Sequence, residues 1–198
     1  WDWSVDGGAG QAVIAAVAGS QGSGKTYTMA NIVGLAMHKR VQVMLCDPQA
    51  ESTSVQSLGN MCEPLRHAFM REVAVEETDI LKAIAAVYKI GEARALGRDS
   101  NMQPVLLVID EFSGLMIGNP HADKMIELLI KIGSQFRKFN IRVLIGGTSW
   151  KANIVGGELG TTLRNLIRFK VLHANTPVEA AFLTYGMPRE ELKQLDNL

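Results

Sequence analysis

Apolar residues in this chain fall into two alternating rhythms. Short unbroken runs rich in Val, Ile and Leu occur at Ala12–Ala18, Val41–Cys46, Val105–Ile109, Arg142–Gly146 and Arg168–Leu172. Runs with so little polar alternation read as strands buried on both faces. Between them lie stretches with helical spacing: Lys25–His38, Thr78–Leu96, Pro120–Phe139, Leu159–Leu166 and Pro177–Tyr185. In Thr78–Leu96 the residues Ile80, Leu81, Ile84, Val87, Tyr88 and Ala95 form one broad stripe. Asn119 before Pro120 reads as an N-cap followed by a first-turn proline. Thr176, Pro177 and Glu179 read as a capping box. Strands alternating with helices predict an α/β fold, a mostly parallel central sheet flanked by helices. Residues Pro48–Glu76 show no clear period.

The run Ala12–Ala18 leads into Gly19-Ser20-Gln21-Gly22-Ser23-Gly24-Lys25-Thr26, which fits G-x-x-x-x-G-K-[ST]. Glycines let the backbone wrap closely around phosphates, and the helix opening near Lys25 turns its free N–H groups toward the same anion. Lys25 is expected to reach the β- and γ-phosphates of ATP and Thr26 to hold Mg²⁺. The binding set is then Gly19, Ser20, Gln21, Gly22, Ser23, Gly24, Lys25, Thr26 and the next residue, Tyr27. A Gly/Ser turn with a solvated lysine has the same letters, but not the strand before and the helix after.

Val105–Ile109 ends in Asp110 and Glu111. A buried strand delivers such carboxylates to the carboxyl edge of a parallel sheet, where α/β proteins bind ligands. Asp110 is expected to help fix Mg²⁺, and Glu111 to orient and activate a water against the γ-phosphorus. Asp47, at the end of Val41–Cys46, reads either as a third acid near the site or as a turn cap. The strand Arg142–Gly146 runs into Gly147-Thr148-Ser149-Trp150. Thr148 or Ser149 is placed to sense the γ-phosphate, as the end of the additional strand does in P-loop ATPases that have one; both also suit a simple turn.

With 198 residues and 47% hydrophobic positions, the chain fits one domain, 1–198, with a substantial core. A disordered tail and a charge-rich coiled coil are excluded by the same composition. The apolar runs are too short for a membrane span, and no segment has the order of a signal peptide. Only Cys46 and Cys62 are present, which points to a reducing, cytoplasmic setting. The chain opens on Trp1, so upstream residues are expected. Twenty Lys and Arg balance twenty Asp and Glu, which argues against a polyanionic partner. Position changes that: residues 131–173 hold eight basic residues against Glu158, a net +7. The block comprises Lys131, Arg137, Lys138, Arg142, Lys151, Arg164, Arg168 and Lys170, around a glycine-rich loop, Gly146–Gly160. Most of these singly read as solvated charges; together they suit contacts to a nucleic-acid backbone, independent of sequence.

Three stretches resemble the FtsK/HerA superfamily of DNA-pumping ATPases: Ala12–Thr26, Val41–Pro48 ending Leu45-Cys46-Asp47-Pro48, and Val105–Ile145. The last contains Ile109-Asp110-Glu111-Phe112-Ser113, then Ile126-Glu127-Leu128-Leu129-Ile130, then Phe136-Arg137-Lys138-Phe139-Asn140-Ile141. The resemblance implies a RecA-like P-loop NTPase fold with an additional strand between the Walker A and Walker B strands. It implies a ring homo-oligomer, a hexamer, acting on double-stranded DNA through backbone contacts. Lys25 and Glu111 would be catalytic, with Arg137 matching an arginine finger inserted into a neighbouring subunit's site; Arg164 and Arg168 compete for that role. Where FtsK-type motors have a sensor glutamine this chain has Thr148, whose reach is shorter. Two other readings stay open. One is an ATP-dependent assembly or switch module without translocation; the other is a small-molecule kinase, which would want a substrate acid in place of Glu111.

Overall fold

The computed structural model describes residues 13–52, 56–151 and 154–174. Five strands, β1 (Ile14–Ala18), β2 (Gln42–Cys46), β3 (Val105–Ile109), β4 (Ile141–Gly147) and β5 (Ile167–Leu172), pair in the order β2-β3-β4-β1-β5. All four pairings are parallel. Strand β4 thus lies between β1, which enters the glycine-rich loop, and β3, which ends at Asp110. That is the additional strand in its expected place.

Among the described residues six helices accompany the sheet: α1 (Lys25–His38), α2 (Leu58–Met61), α3 (Glu77–Ala95), α4 (Phe112–Met116), α5 (Ala122–Gln135) and α6 (Gly157–Leu166). Successive strand residues point to opposite faces, and in β1 to β4 both faces are buried. Strand β5, at the sheet edge, is instead exposed or half-buried after Ile167, against the expectation of two-sided burial, because it has only one neighbouring strand. One face carries Ile14, Ala16, Met44, Leu107, Val143 and Ile145 into a core with α3, α4 and α5. The other carries Ala15, Val17, Val43, Leu45, Leu106, Val108 and Leu144 against α1 and α2. This two-sided burial is why β1 to β4 read as continuous apolar runs. Among the described residues no helix is long and apolar enough to cross a membrane.

Some expectations shift. The regular helix after Pro120 begins at Ala122, because Asn119 closes a turn of its own first: its Oδ1 accepts the His121 N–H at 2.7 Å and its Nδ2 donates to the Leu115 carbonyl at 3.0 Å. The same helix stops at Gln135, and Arg137–Phe139 form a separate 3₁₀ turn. Phe136 breaks the run because its ring lies against Gly91 of α3, where any β-carbon would overlap it. Asn140, at φ 55°, then turns the chain into β4. The stretch Pro48–Glu76 holds α2, a 3₁₀ helix at Glu63–Ala68 and a backbone segment beside β2. In that segment Met70 and Ala74 N–H groups donate to the Val43 and Leu45 carbonyls, covering the sheet edge. Ala12, the helix expected at Pro177–Tyr185 and its capping box lie outside the described residues.

Candidate active site

Strand β1 delivers the chain to the carboxyl edge of the sheet, where residues 19–24 turn into α1. Gly22 and Gly24 take φ 76° and 95°, a region that only glycine enters freely. A β-carbon on Gly22 would meet nothing within 4 Å, so the space beside the loop is open there. Lys25 is 5% exposed, and its Nζ donates to the Ser20 carbonyl at 3.1 Å. The Ser23 hydroxyl is buried with no hydrogen-bond partner among the described residues.

The loop is anchored from behind by the end of β5. Ser20 donates its N–H and its hydroxyl to the Ala174 carbonyl, at 2.9 and 2.8 Å. The His173 N–H donates to the Ala18 carbonyl at 2.7 Å, and its Nε2 shares a 2.9 Å hydrogen bond with the Thr28 hydroxyl. Gly19 is needed here, since a β-carbon would overlap the Ser23 hydroxyl and crowd His173. Nothing in the sequence singles out His173 or Thr28; only the pairing of β5 with β1 brings them to the loop.

A cavity of about 510 Å³ opens in front of the loop. Gln21, Gly22, Gly24, Lys25, Thr26 and Tyr27 line it from the loop and the first turn of α1. Glu111 lines it from the end of β3 and Thr148 from the end of β4. Gln49 and Gln56 close it from the segment after β2, and sequence reading missed both because that segment shows no pattern. Three motifs far apart in sequence therefore share one cavity.

Asp110 lies beneath this lining, 3% exposed, with its Oδ1 accepting the Glu111 N–H at 2.9 Å. Burial pushes its carboxyl pKa up to about 6, reinforced by the charges of Glu111 and Asp47 and opposed by that hydrogen bond and by Lys25. Glu111 itself adopts φ 50° and ψ 34° and caps α4. Asp47 serves as a turn cap, its two oxygens accepting the Gln49 N–H at 2.8 Å and the Gly59 N–H at 2.7 Å. Its charge also helps to raise the Asp110 pKa, but Asp47 does not line the cavity.

The segment Gly147–Trp150 is docked on α4. Phe112 stacks on Trp150, ring centroids 6.3 Å apart. Ser113, 3% exposed, shares a hydroxyl–hydroxyl hydrogen bond with Thr148 at 3.1 Å and accepts the Thr148 N–H at 3.2 Å. From the other side Arg164 donates to the Trp150 carbonyl at 3.0 Å and to the Thr161 hydroxyl at 3.1 Å.

The basic block is dispersed. Arg142 is 2% exposed and donates to the Ile141 carbonyl, so it offers nothing to an external phosphate. Arg164 is a half-buried strut, and burial lowers its pKa. The Lys131 ammonium lies over the Tyr88 ring, 5.9 Å from its centroid. Arg137, Lys138 and Arg168 are exposed. Arg137 precedes β4 while Thr148 follows it, and the seven residues of that strand separate them by on the order of 20 Å. Arg137 therefore lies outside the cavity of its own chain.

A nucleotide triphosphate with Mg²⁺ fits these groups. The open cradle at Gly22, the orphaned Ser23 hydroxyl and the buried Lys25 ammonium suit a polyphosphate. Among the described residues no three His, Cys, Asp or Glu side chains could hold a metal alone. Hydroxyl, carboxylate and phosphate oxygens together are the hard donor set Mg²⁺ takes.

No family model matches the sequence, and no curated protein matches it by sequence. Solved structures do match its shape. The pCW3 conjugation coupling protein TcpA, in monomer form with ATPγS, superposes with TM-score 0.59 at 16% identity, over 82% of this chain and 49% of that one. The cytoplasmic domain of EssC gives TM-score 0.62 at 15% identity, over 90% of this chain and 36% of that one. The genome packaging NTPase B204 of Sulfolobus turreted icosahedral virus 2, with AMPPCP, gives 0.58 at 13%, over 94% and 87%. This chain thus spans about half of the solved coupling-protein chain and about a third of the EssC cytoplasmic domain. At such identities the likeness shows architecture alone: a five-stranded, all-parallel sheet flanked by helices in the RecA-like P-loop NTPase fold.

Proposed function

We propose that this chain binds Mg²⁺-ATP in the cavity between Lys25, Thr26, Glu111 and Thr148 and hydrolyses it, as the motor core of a ring-forming translocase of double-stranded DNA. The observation that carries the proposal is the convergence on one cavity of the glycine-rich loop, the carboxylate after β3 and the hydroxyl after β4. The loop's N–H groups, the Ser23 hydroxyl and the Lys25 ammonium, swung off the Ser20 carbonyl, would hold the phosphates. Thr26 and Asp110 would hold Mg²⁺. When bound, the ion neutralises charge on the phosphate oxygens. Glu111 accepts a proton from the attacking water, and Thr148 hydrogen-bonds the γ-phosphate. Lying away from its own cavity, Arg137 is suited to reach into that of a second copy, where its guanidinium stabilises the transition state in trans. A cytoplasmic site of action belongs to the same proposal.

The uptake of Arg142 and Arg164 into the fold favours a second reading, an ATP-driven assembly switch that moves no DNA. One experiment separates them: ATPase rate per subunit against protein concentration, with and without double-stranded DNA. A motor shows a rate rising with concentration and with DNA. A rate indifferent to DNA assigns the switch.

A further inference from the structure

We infer that Ser113 is a positioning residue that fixes the Thr148 hydroxyl as a hydrogen-bond donor aimed into the cavity, making the site prefer a triphosphate over a diphosphate. The inference rests on the nucleotide-site reading above and adds a residue to it. A serine hydroxyl has one proton and two lone pairs. The Ser113 Oγ faces the Thr148 N–H at 3.2 Å and the Ser149 N–H at 3.4 Å, and both groups can only donate. With its lone pairs taken, the oxygen has its proton left for the Thr148 Oγ1 at 3.1 Å. Thr148 must then accept in that contact, which leaves its own proton for another partner. Because Thr148 also lines the cavity, that partner is an acceptor in the cavity: an oxygen of a terminal phosphate.

The geometry around the pair is fixed rather than incidental. Ser113 stands two residues after Glu111 and is 3% exposed, so no water competes for its hydroxyl. The Phe112–Trp150 stack and the Arg164 bond to the Trp150 carbonyl hold the two segments together on either side. Gly147 allows the approach: a β-carbon there would lie 3.3 Å from the Trp150 ring. The carboxylate that activates water and the hydroxyl that reads the terminal phosphate are thus joined through one short helix.

Calorimetric titration with ATPγS and with ADP, both with Mg²⁺, tests this. Thr148→Val should lower ATPγS affinity about tenfold and leave ADP within about twofold, as expected for one hydrogen bond to a charged group. Ser113→Ala should reproduce most of that loss, and the double variant should be no weaker than Thr148→Val alone. Ser113→Thr, which keeps the hydroxyl, should restore the preference for ATPγS. An undiminished preference in Ser113→Ala, or a double variant that sums both losses, overturns the inference. Should Ser113→Ala not fold, Ser113→Cys, a weak donor of similar size, reads the same loss: partial reduction supports it and none overturns it. Failure of the unsubstituted chain to bind either nucleotide would instead overturn the site reading beneath it.

Discussion

A glutamate in left-handed backbone, φ 50° and ψ 34°, is held at position 111 against a steric cost of about 1 kcal/mol. Tertiary structure tolerates that conformation because it points the carboxylate into the cavity and starts α4 on the docking surface for Thr148. Glu111→Gly should therefore stabilise the fold by up to about 1 kcal/mol in urea denaturation while removing hydrolysis. Asp110 is strained electrostatically. Its folded-state pKa of about 6 lies above the usual value for an unfolded aspartate, so stability is full at low pH and falls as pH rises through that interval. Without metal, Asp110→Asn should raise stability at pH 7.5 by up to about 3 kcal/mol and change little at pH 4. Thermal unfolding at the two pH values checks both the size and the sign. The cavity positions of Lys25, Thr26 and Glu111 were legible because short motifs mark them, as was Asp110 as the carboxylate ending a buried strand. Ser113, Gln49 and His173 were not, because each gains its role from a segment distant in sequence.

At the scale of elements, β3 and α1 match their expected ranges end to end, and the other strands shift by only a residue or two. Burial on both sheet faces made β1 to β4 visible as apolar runs, and the glycine-rich loop marked the start of α1. The segment after β2 stayed opaque because its order comes from Asp47, which gathers the Gln49 and Gly59 N–H groups, and from pairing with β2. No periodic pattern records such contacts. The early stop of α5 has the same origin, in the ring of Phe136 seated on Gly91. Gly91→Ala separates propensity from packing. Alanine favours a helix interior by about 1 kcal/mol, yet here its β-carbon would overlap a fully buried ring, costing about 1–3 kcal/mol. Denaturant titration should show a net loss of stability; a net gain would mean that the contact between α3 and Phe136 is loose.

For the whole molecule, neutrality conceals a net +7 in residues 131–173, but the fold spends part of that charge internally, on Arg142 and Arg164. What stays exposed near the start of β4 and β5 is Arg137, Lys138 and Arg168, away from the cavity of the same chain. If Arg137 completes the cavity of a second copy, mixing Arg137→Ala subunits with Glu111→Gln subunits should regain hydrolysis that neither has alone. No recovery in confirmed mixed oligomers would remove Arg137 from that role. Assembly and DNA coupling both stand on the simpler statement that this cavity hydrolyses a nucleoside triphosphate. The most direct measurement is phosphate release from Mg²⁺-ATP by the unsubstituted chain and by Glu111→Gln, with nucleotide binding measured in parallel. Hydrolysis is expected in the first, and in the second retained ATP binding with turnover reduced at least about a hundredfold. Equal turnover in the two proteins would mean that Glu111 does not activate the water and that hydrolysis does not occur in this cavity as described.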